Sequence, residues 1–219
     1  MSAINGVRAA VFDLDGTLFD SVGLWHEIDE IFLRKRGCEP TDDYKRSIAA
    51  LGFKATAYFT VEYFGLNETP ETLMDEWNVL AEHAYKHTIK LFDGAREYLA
   101  ACAAAGLTIL AVTSLKRELA ESCLTSNGVR GYFKEIITAD ETGMKKSSPD
   151  IYEYAAKRAG CAAAECVAFD DVHDALRAAK AAGMTTVAIS RPDGLFGAHD
   201  GADYIVDGVG KAPRLVGKA

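Results

Sequence analysis

No apolar run in this sequence approaches the length of a membrane span, so no membrane-crossing helix is expected. Cysteine is scarce and scattered. Cys38, Cys102, Cys123, Cys161 and Cys166 are odd in number and form no Cys-x-x-Cys, which argues against structural zinc or a disulfide framework and fits a reducing compartment. Basic residues are outnumbered, 24 Lys and Arg against 32 Asp and Glu, for a net charge of −8. That excludes a general affinity for nucleic acid or an anionic membrane. It leaves room for a small phosphorylated molecule, which needs only a local cationic site. There is no repeat and no low-complexity tract, and the Ala-rich pieces at 100–105, 155–164 and 178–182 read as helices. Arg8 and Asp13 bracket too few apolar residues for a secretory signal, so the expected location is the cytoplasm. Nothing in the composition sets an oligomeric state.

What is present supports a sizeable core, since 49% of the 219 residues are hydrophobic, and the length suits one to two domains. Arg8 to Phe12 reads as a short buried strand. Leu24, Trp25, Ile28, Ile31 and Phe32 then recur at helical spacing, with Gly37 as a stop. Further helices are expected over about 43–51, 53–64 and 70–86, the last opened by Thr69 as cap and Pro70 at the first helical position. From Asp93 the pattern changes to alternation. Helices are expected at 95–105, 116–127, 149–159 and 174–182, and strands at 107–112, 135–138, 165–169 and 184–189, with a last short one at 204–206. Such alternation implies an α/β fold: a three-layer, Rossmann-like parallel sheet covered on both faces. The purely helical stretch reads as an inserted cap. The expected division is 1–18 and 92–219 for the core and 19–91 for the cap.

The first strand ends in Asp13-Leu14-Asp15-Gly16-Thr17. Two carboxylates at the carboxyl end of a parallel strand lie where open α/β sheets place ligands. Asp-Gly is also a common turn pair, so this piece alone decides nothing. The second strand ends in Thr113-Ser114, which suits either an anion or a helix cap. Lys145-Lys146-Ser147-Ser148-Pro149 brings a lysine beside a helix start. Val167 to Asp171 ends another apolar strand in adjacent carboxylates. Two carboxylates there, facing Asp13 and Asp15, would repel strongly unless a cation sat between them.

These four segments, in this order and spacing, resemble the haloacid dehalogenase-like superfamily. Asp13-Leu14-Asp15-Gly16-Thr17 matches its first motif, Thr113 the second, Lys146 the third and Asp170-Asp171 the fourth. The insert resembles the small helical cap of the β-phosphoglucomutase-like subgroup. Ser147 stands where a proline is usual, and Asp170-Asp171-Val172 where Glu-Asp-Ser is common, without removing a group the chemistry needs. The resemblance implies Asp13 as nucleophile and Asp15 as acid and base. It implies Mg²⁺ held by Asp13, the backbone carbonyl of Asp15, and Asp171, with Asp170 direct or through water. Thr113 and Lys146 would hold the phosphoryl group. Ser114, together with Lys54 and His26 in the cap, would touch substrate. Asp15 favours phosphate esters, because the superfamily's dehalogenases and phosphonate-cleaving members lack an acid there. The implied function is Mg²⁺-dependent release of phosphate from a small phosphorylated metabolite. The alternatives are a sugar phosphomutase and a non-catalytic binding protein on the same fold. Against the mutase, Gly52-Phe53-Lys54-Ala55 does not reproduce its Arg-bearing cap loop, and Trp25 stands where it carries a histidine.

Overall fold

The computed structural model describes residues 3–21, 23–48, 51, 53–190 and 201–218. The chain falls into two compact units, Met1–Ser21 with Ile89–Ala219, and Val22–Thr88. The division lies three residues inside the expected one at each end. The cause is a short backbone ladder that ties the two connections together: Asp20 N–H donates to Lys90 O, and Phe92 N–H to Leu18 O.

The first unit is built on a six-stranded parallel sheet of order β4-β3-β2-β5-β6-β7. Its strands are β2 (Ala9–Phe12), β3 (Thr108–Thr113), β4 (Glu135–Thr138), β5 (Cys166–Asp170), β6 (Thr185–Ile189) and β7 (Tyr204–Val206). Between them run α5 (Ala95–Ala104), α6 (Arg117–Ser126), the one-turn α7 (Ala139–Thr142), α8 (Pro149–Ala159) and α9 (His173–Ala181). Strand order reverses at β2, so β2 and β5 flank the switch point. Period-two alternation sorts the core. Ala9 and Val11 of β2, with Cys166 and Ala168 of β5, pack with Ile151, Tyr152, Ala155 and Ala156 of α8 and the alanines of α9. On the opposite parity Phe12 stacks on Phe169 at 4.5 Å, and Tyr98 of α5 meets both rings edge-on.

Two short strands, β1 (Ala3–Val7) and β8 (Arg214–Gly217), pair in parallel as a separate sheet. The sequence reading has no strand at either place and starts β2 one residue early, at Arg8. Each of the two is half exposed and carries a glycine, so neither shows a buried run. Gly94, which opens α5, has φ of +78°, and a Cβ there would stand 2.9 Å from the Cα of Gly210. Two backbones cross at that point, which only glycine permits.

The second unit holds α1 (Leu24–Arg34), α2 (Asp42–Ile48), α3 (Phe53–Phe64) and α4 (Pro70–His87). The helix expected over 43–51 is seen as far as Ile48; residues 49, 50 and 52 lie outside those described. Thr69 caps α4 by accepting from Thr72 N–H at 3.2 Å. Phe32 meets Trp77 edge-on, and Tyr44 is enclosed by Phe59, Tyr63 and Phe64. Arg36 lies over the Phe32 ring and pairs with both oxygens of Glu68 and with Glu76. Buried between α1, α2 and α3 is a polar chain. Tyr44 Oη is 3.0 Å from Asp29 Oδ1 and 2.8 Å from Thr60 Oγ1, and Thr60 donates to Thr56 O.

Candidate active site

Asp13 follows β2 directly, and its N–H donates to Phe169 O at 2.9 Å, carrying the β2–β5 ladder one residue past Phe12. The register Val11↔Ala168 and Phe12↔Phe169, continued by one, sets Asp13 opposite Asp170. Both continue the parity of Ala9, Val11, Cys166 and Ala168, so they leave the sheet on the α8 side. Lys146 precedes α8 by three residues. Its Nζ lies 2.5 Å from Asp13 Oδ1 and 2.8 Å from Asp170 Oδ2. Asp171 completes the group: one oxygen each from Asp13, Asp170 and Asp171 fall within 4.8 Å of one another. All three aspartates are buried. Asp170 Oδ1 also accepts from Val172 N–H at 3.0 Å. Thr113, buried at the end of the neighbouring strand β3, accepts from Leu115 N–H at 3.1 Å. Ser114 follows it and is exposed, as is Lys145.

Burial works against the charge on Asp13. It pushes Asp13 well above the usual carboxylate range; Lys146 pulls it back, while Asp170 and Asp171 add to the rise. Burial also works against the charge on Lys146, but facing Asp13 and Asp170 outweighs it, and Lys146 stays an ammonium. Among the described residues, three buried carboxylates thus gather beside one lysine, which pairs with Asp13 and Asp170. That imbalance, and the all-oxygen donor set, fit a divalent ion of the Mg²⁺ type.

Asp15 stands outside the three-carboxylate group. Its side chain accepts a hydrogen bond from Ser21 Oγ at 2.7 Å, and its backbone turns at Gly16, which has φ of +75°. Three residues escaped the sequence reading of the site. Ser21 is buried and touches Asp15 across a turn. Thr17, also buried, points its hydroxyl at Asp171 from 3.5 Å. Tyr152 of α8 is buried with its Oη unpartnered among the described residues; burial, then the charge of Asp170, holds its phenol above the usual range. Only Thr17 carried a signal, as part of the first motif. A cavity of about 690 Å³ is lined by Ser114, Lys145, Lys146, Ser147, Val172 and Asp174, all of the sheet unit. That size suits a small molecule. His26 on α1 and Lys54 on α3 belong to the helical unit and are exposed there; Lys54 Nζ lies 5.9 Å from the Tyr58 ring centre.

The relatives of this chain agree with its geometry. A family profile described as haloacid dehalogenase-like hydrolase matches residues 10–189. YhcW of Bacillus subtilis is 31% identical over 187 residues, which cover 84% of this chain and 83% of YhcW. Hexitol phosphatase B of Escherichia coli is 25% identical, with 88% of each chain covered. The crystal structure of CbbY from Rhodobacter sphaeroides superposes with a TM-score of 0.75 at 21% identity, covering 94% of this chain and 96% of that one, and so shares the fold. From its profile, its relatives and its parallel-sheet core, the chain is an enzyme of the haloacid dehalogenase-like hydrolase family.

Proposed function

We propose that the enzyme is a Mg²⁺-dependent phosphatase of small phosphorylated metabolites, working through a phosphorylated Asp13. The observation that carries this reading is the buried triad of Asp13, Asp170 and Asp171, with the Lys146 ammonium against Asp13 and Asp170. A non-catalytic binding protein has no need of such a costly cluster. The named activity of hexitol phosphatase B, a relative along most of the chain, points to the same class of substrate.

In this reading an Asp13 carboxylate oxygen attacks phosphorus, and the bond from phosphorus to the ester oxygen breaks. Asp15 delivers the proton that the departing oxygen needs. Asp15 then takes a proton from the water that attacks the phosphorylated aspartate, which frees phosphate and restores Asp13. Lys146 and the Thr113 hydroxyl face the charge on the phosphoryl oxygens. The ion would be held by Asp13, Asp171 and the Asp15 carbonyl, with Asp170 beside them, and when bound it supplies positive charge against the phosphoryl oxygens. Ser21 orients Asp15, so that the proton carrier is set before substrate arrives.

The test is phosphate release from a panel of phosphate monoesters, hexitol phosphates included, with Mg²⁺ and with EDTA. Release that requires Mg²⁺ and disappears in Asp13→Asn is expected. Conversion of β-glucose 1-phosphate to glucose 6-phosphate faster than phosphate release would replace the phosphatase with a mutase.

A further inference from the structure

At the end of β5 away from Asp170 lies a second reactive pair, which the proposed reaction does not use. Cys166 is the first residue of β5, and Cys161 follows Gly160, where α8 ends. Their Sγ atoms are 3.5 Å apart. The residues between them are held in a tight turn. Ala162 N–H donates to the Glu165 carboxylate at 3.1 Å, and Glu165 N–H donates to Ala162 O at 2.9 Å. The Cys166 thiol donates to Ala162 O, so the hydrogen between the two sulfurs belongs to Cys161. Among the described residues no other two sulfurs come within hydrogen-bonding distance.

We propose that Cys161 and Cys166 are a redox-modification site, closing to a reversible intramolecular disulfide when the enzyme meets a peroxide. A disulfide needs about 2.05 Å between sulfurs, which asks for a shift of about 0.7 Å from each. Cys161 is half-buried whereas Cys166 is buried, so peroxide reaches Cys161 first. Burial, and then the bond with Cys161, also holds the Cys166 thiol above its usual range, which leaves the first step to its neighbour. The Cys161 sulfur attacks one peroxide oxygen, the O–O bond breaks, and a sulfenic acid and water result. Cys166 sulfur then attacks the sulfenic sulfur, the S–S bond forms, and the S–O bond breaks. The hydroxyl leaves as water with the Cys166 proton. Two thiols have given two electrons, and one peroxide has become two waters. Contact between the sulfurs makes this second step faster than further oxidation of Cys161.

Cys38, also half-buried but in the helical unit, has no sulfur neighbour among the described residues, so it is removed from the test protein as Cys38→Ser. The full chain is treated with a slight excess of hydrogen peroxide at neutral pH, denatured, and titrated for thiols. The tryptic fragment Ala159–Arg177 contains both cysteines and no internal Lys or Arg. Expected are the loss of two thiols, a fragment lighter by two hydrogens, and full recovery with dithiothreitol. Adding Cys161→Ser should abolish the bridge, and this half-buried position tolerates the change even if Cys166→Ser does not fold. Cys161 found as sulfinic or sulfonic acid beside a free Cys166, a disulfide between two chains, or two unreacted thiols would each overturn the proposal.

Discussion

Ser21 Oγ donates to Asp15 Oδ1 at 2.7 Å, six residues along the chain and inside a partly buried turn. The bond fixes the orientation of the group proposed to carry protons in both half-reactions. Ser21→Ala should therefore lower kcat more than it alters KM. A bond to a charged group is worth about 1.5–3 kcal/mol, of which a partly exposed carboxylate realises the lower end, so roughly a tenfold loss is expected. Steady-state kinetics on two unrelated phosphate esters check this, since a substrate-contacting serine would give different losses on the two.

Asp13→Asn should remove turnover while keeping the fold. The amide is almost isosteric and is a far weaker nucleophile, and it takes one charge out of the carboxylate group. Its melting temperature without metal should match or exceed that of the wild type, because Asp13, Asp170 and Asp171 repel one another. A folded variant keeping more than a few per cent of the rate would remove Asp13 from the mechanism.

Lys146 and Lys145 are adjacent in sequence and should behave very differently. Lys146→Met leaves the buried carboxylates of Asp13 and Asp170 without their ammonium, and stranding a buried charge partner typically costs about 3–5 kcal/mol. Lys145→Ala, at an exposed position, should stay within about 0.5 kcal/mol. Thermal melts in EDTA measure both. Adding Mg²⁺ should raise the melting temperature of Lys146→Met more than that of the wild type, since ligand binding to the folded state stabilises it. Equal shifts would place the ion elsewhere.

The buried chain in the helical unit makes a pH prediction. With Asp29 ionised, Tyr44 and Thr60 bring two hydrogens to three links, ending at Thr56 O. A proton on Asp29 completes the set. Burial raises Asp29 from 3.8 to about 6; the Tyr44 hydroxyl, His26 and Lys45 oppose the rise, and Glu30 adds to it. The folded state thus holds a proton between pH 3.8 and about 6 that the unfolded chain has released. This contribution to stability is full below that window, shrinks as pH rises through it, and is gone above it. Asp29→Asn is neutral at every pH. It should exceed the wild type at pH 7 by up to about 3 kcal/mol, with the gap closing near pH 4. Urea midpoints at the two values decide it, and an asparagine variant weaker at pH 7 would refute the raised pKa of Asp29.

Much of this molecule is legible along the chain and some of it is not, for definite reasons. Val11-Phe12-Asp13 and Val167 to Asp171 announce apolar strands that end in carboxylates. What the chain does not announce is that β2 pairs with β5 in the register that sets Asp13 against Asp170. Two strands separated by more than a hundred residues carry no mark of their offset. The β1–β8 pair is hidden because one side of each strand meets water and glycine interrupts the pattern. Ser21 is hidden because a turn, with no periodicity, brings it to Asp15. Tyr152 reads simply as helix interior; only a hydroxyl unpartnered among the described residues, and the nearby charges, set it apart.

The place of β2 at the reversal of strand order also bears on how the chain is made. Its two neighbours begin at Thr108 and Cys166, while it ends at Phe12. At ribosomal rates of about 5–20 residues per second, roughly 5–20 seconds pass before the first neighbour is even synthesised. Through that interval a strand of Ala, Ala, Val and Phe has no sheet to join. The helical unit, contiguous from residue 22 to 88, is complete first, and it is followed by the nascent segment that will close on the waiting strand. Acquisition of the sheet is therefore bound to late, long-range pairing, and the early strand is the segment that a chaperone would be expected to shelter.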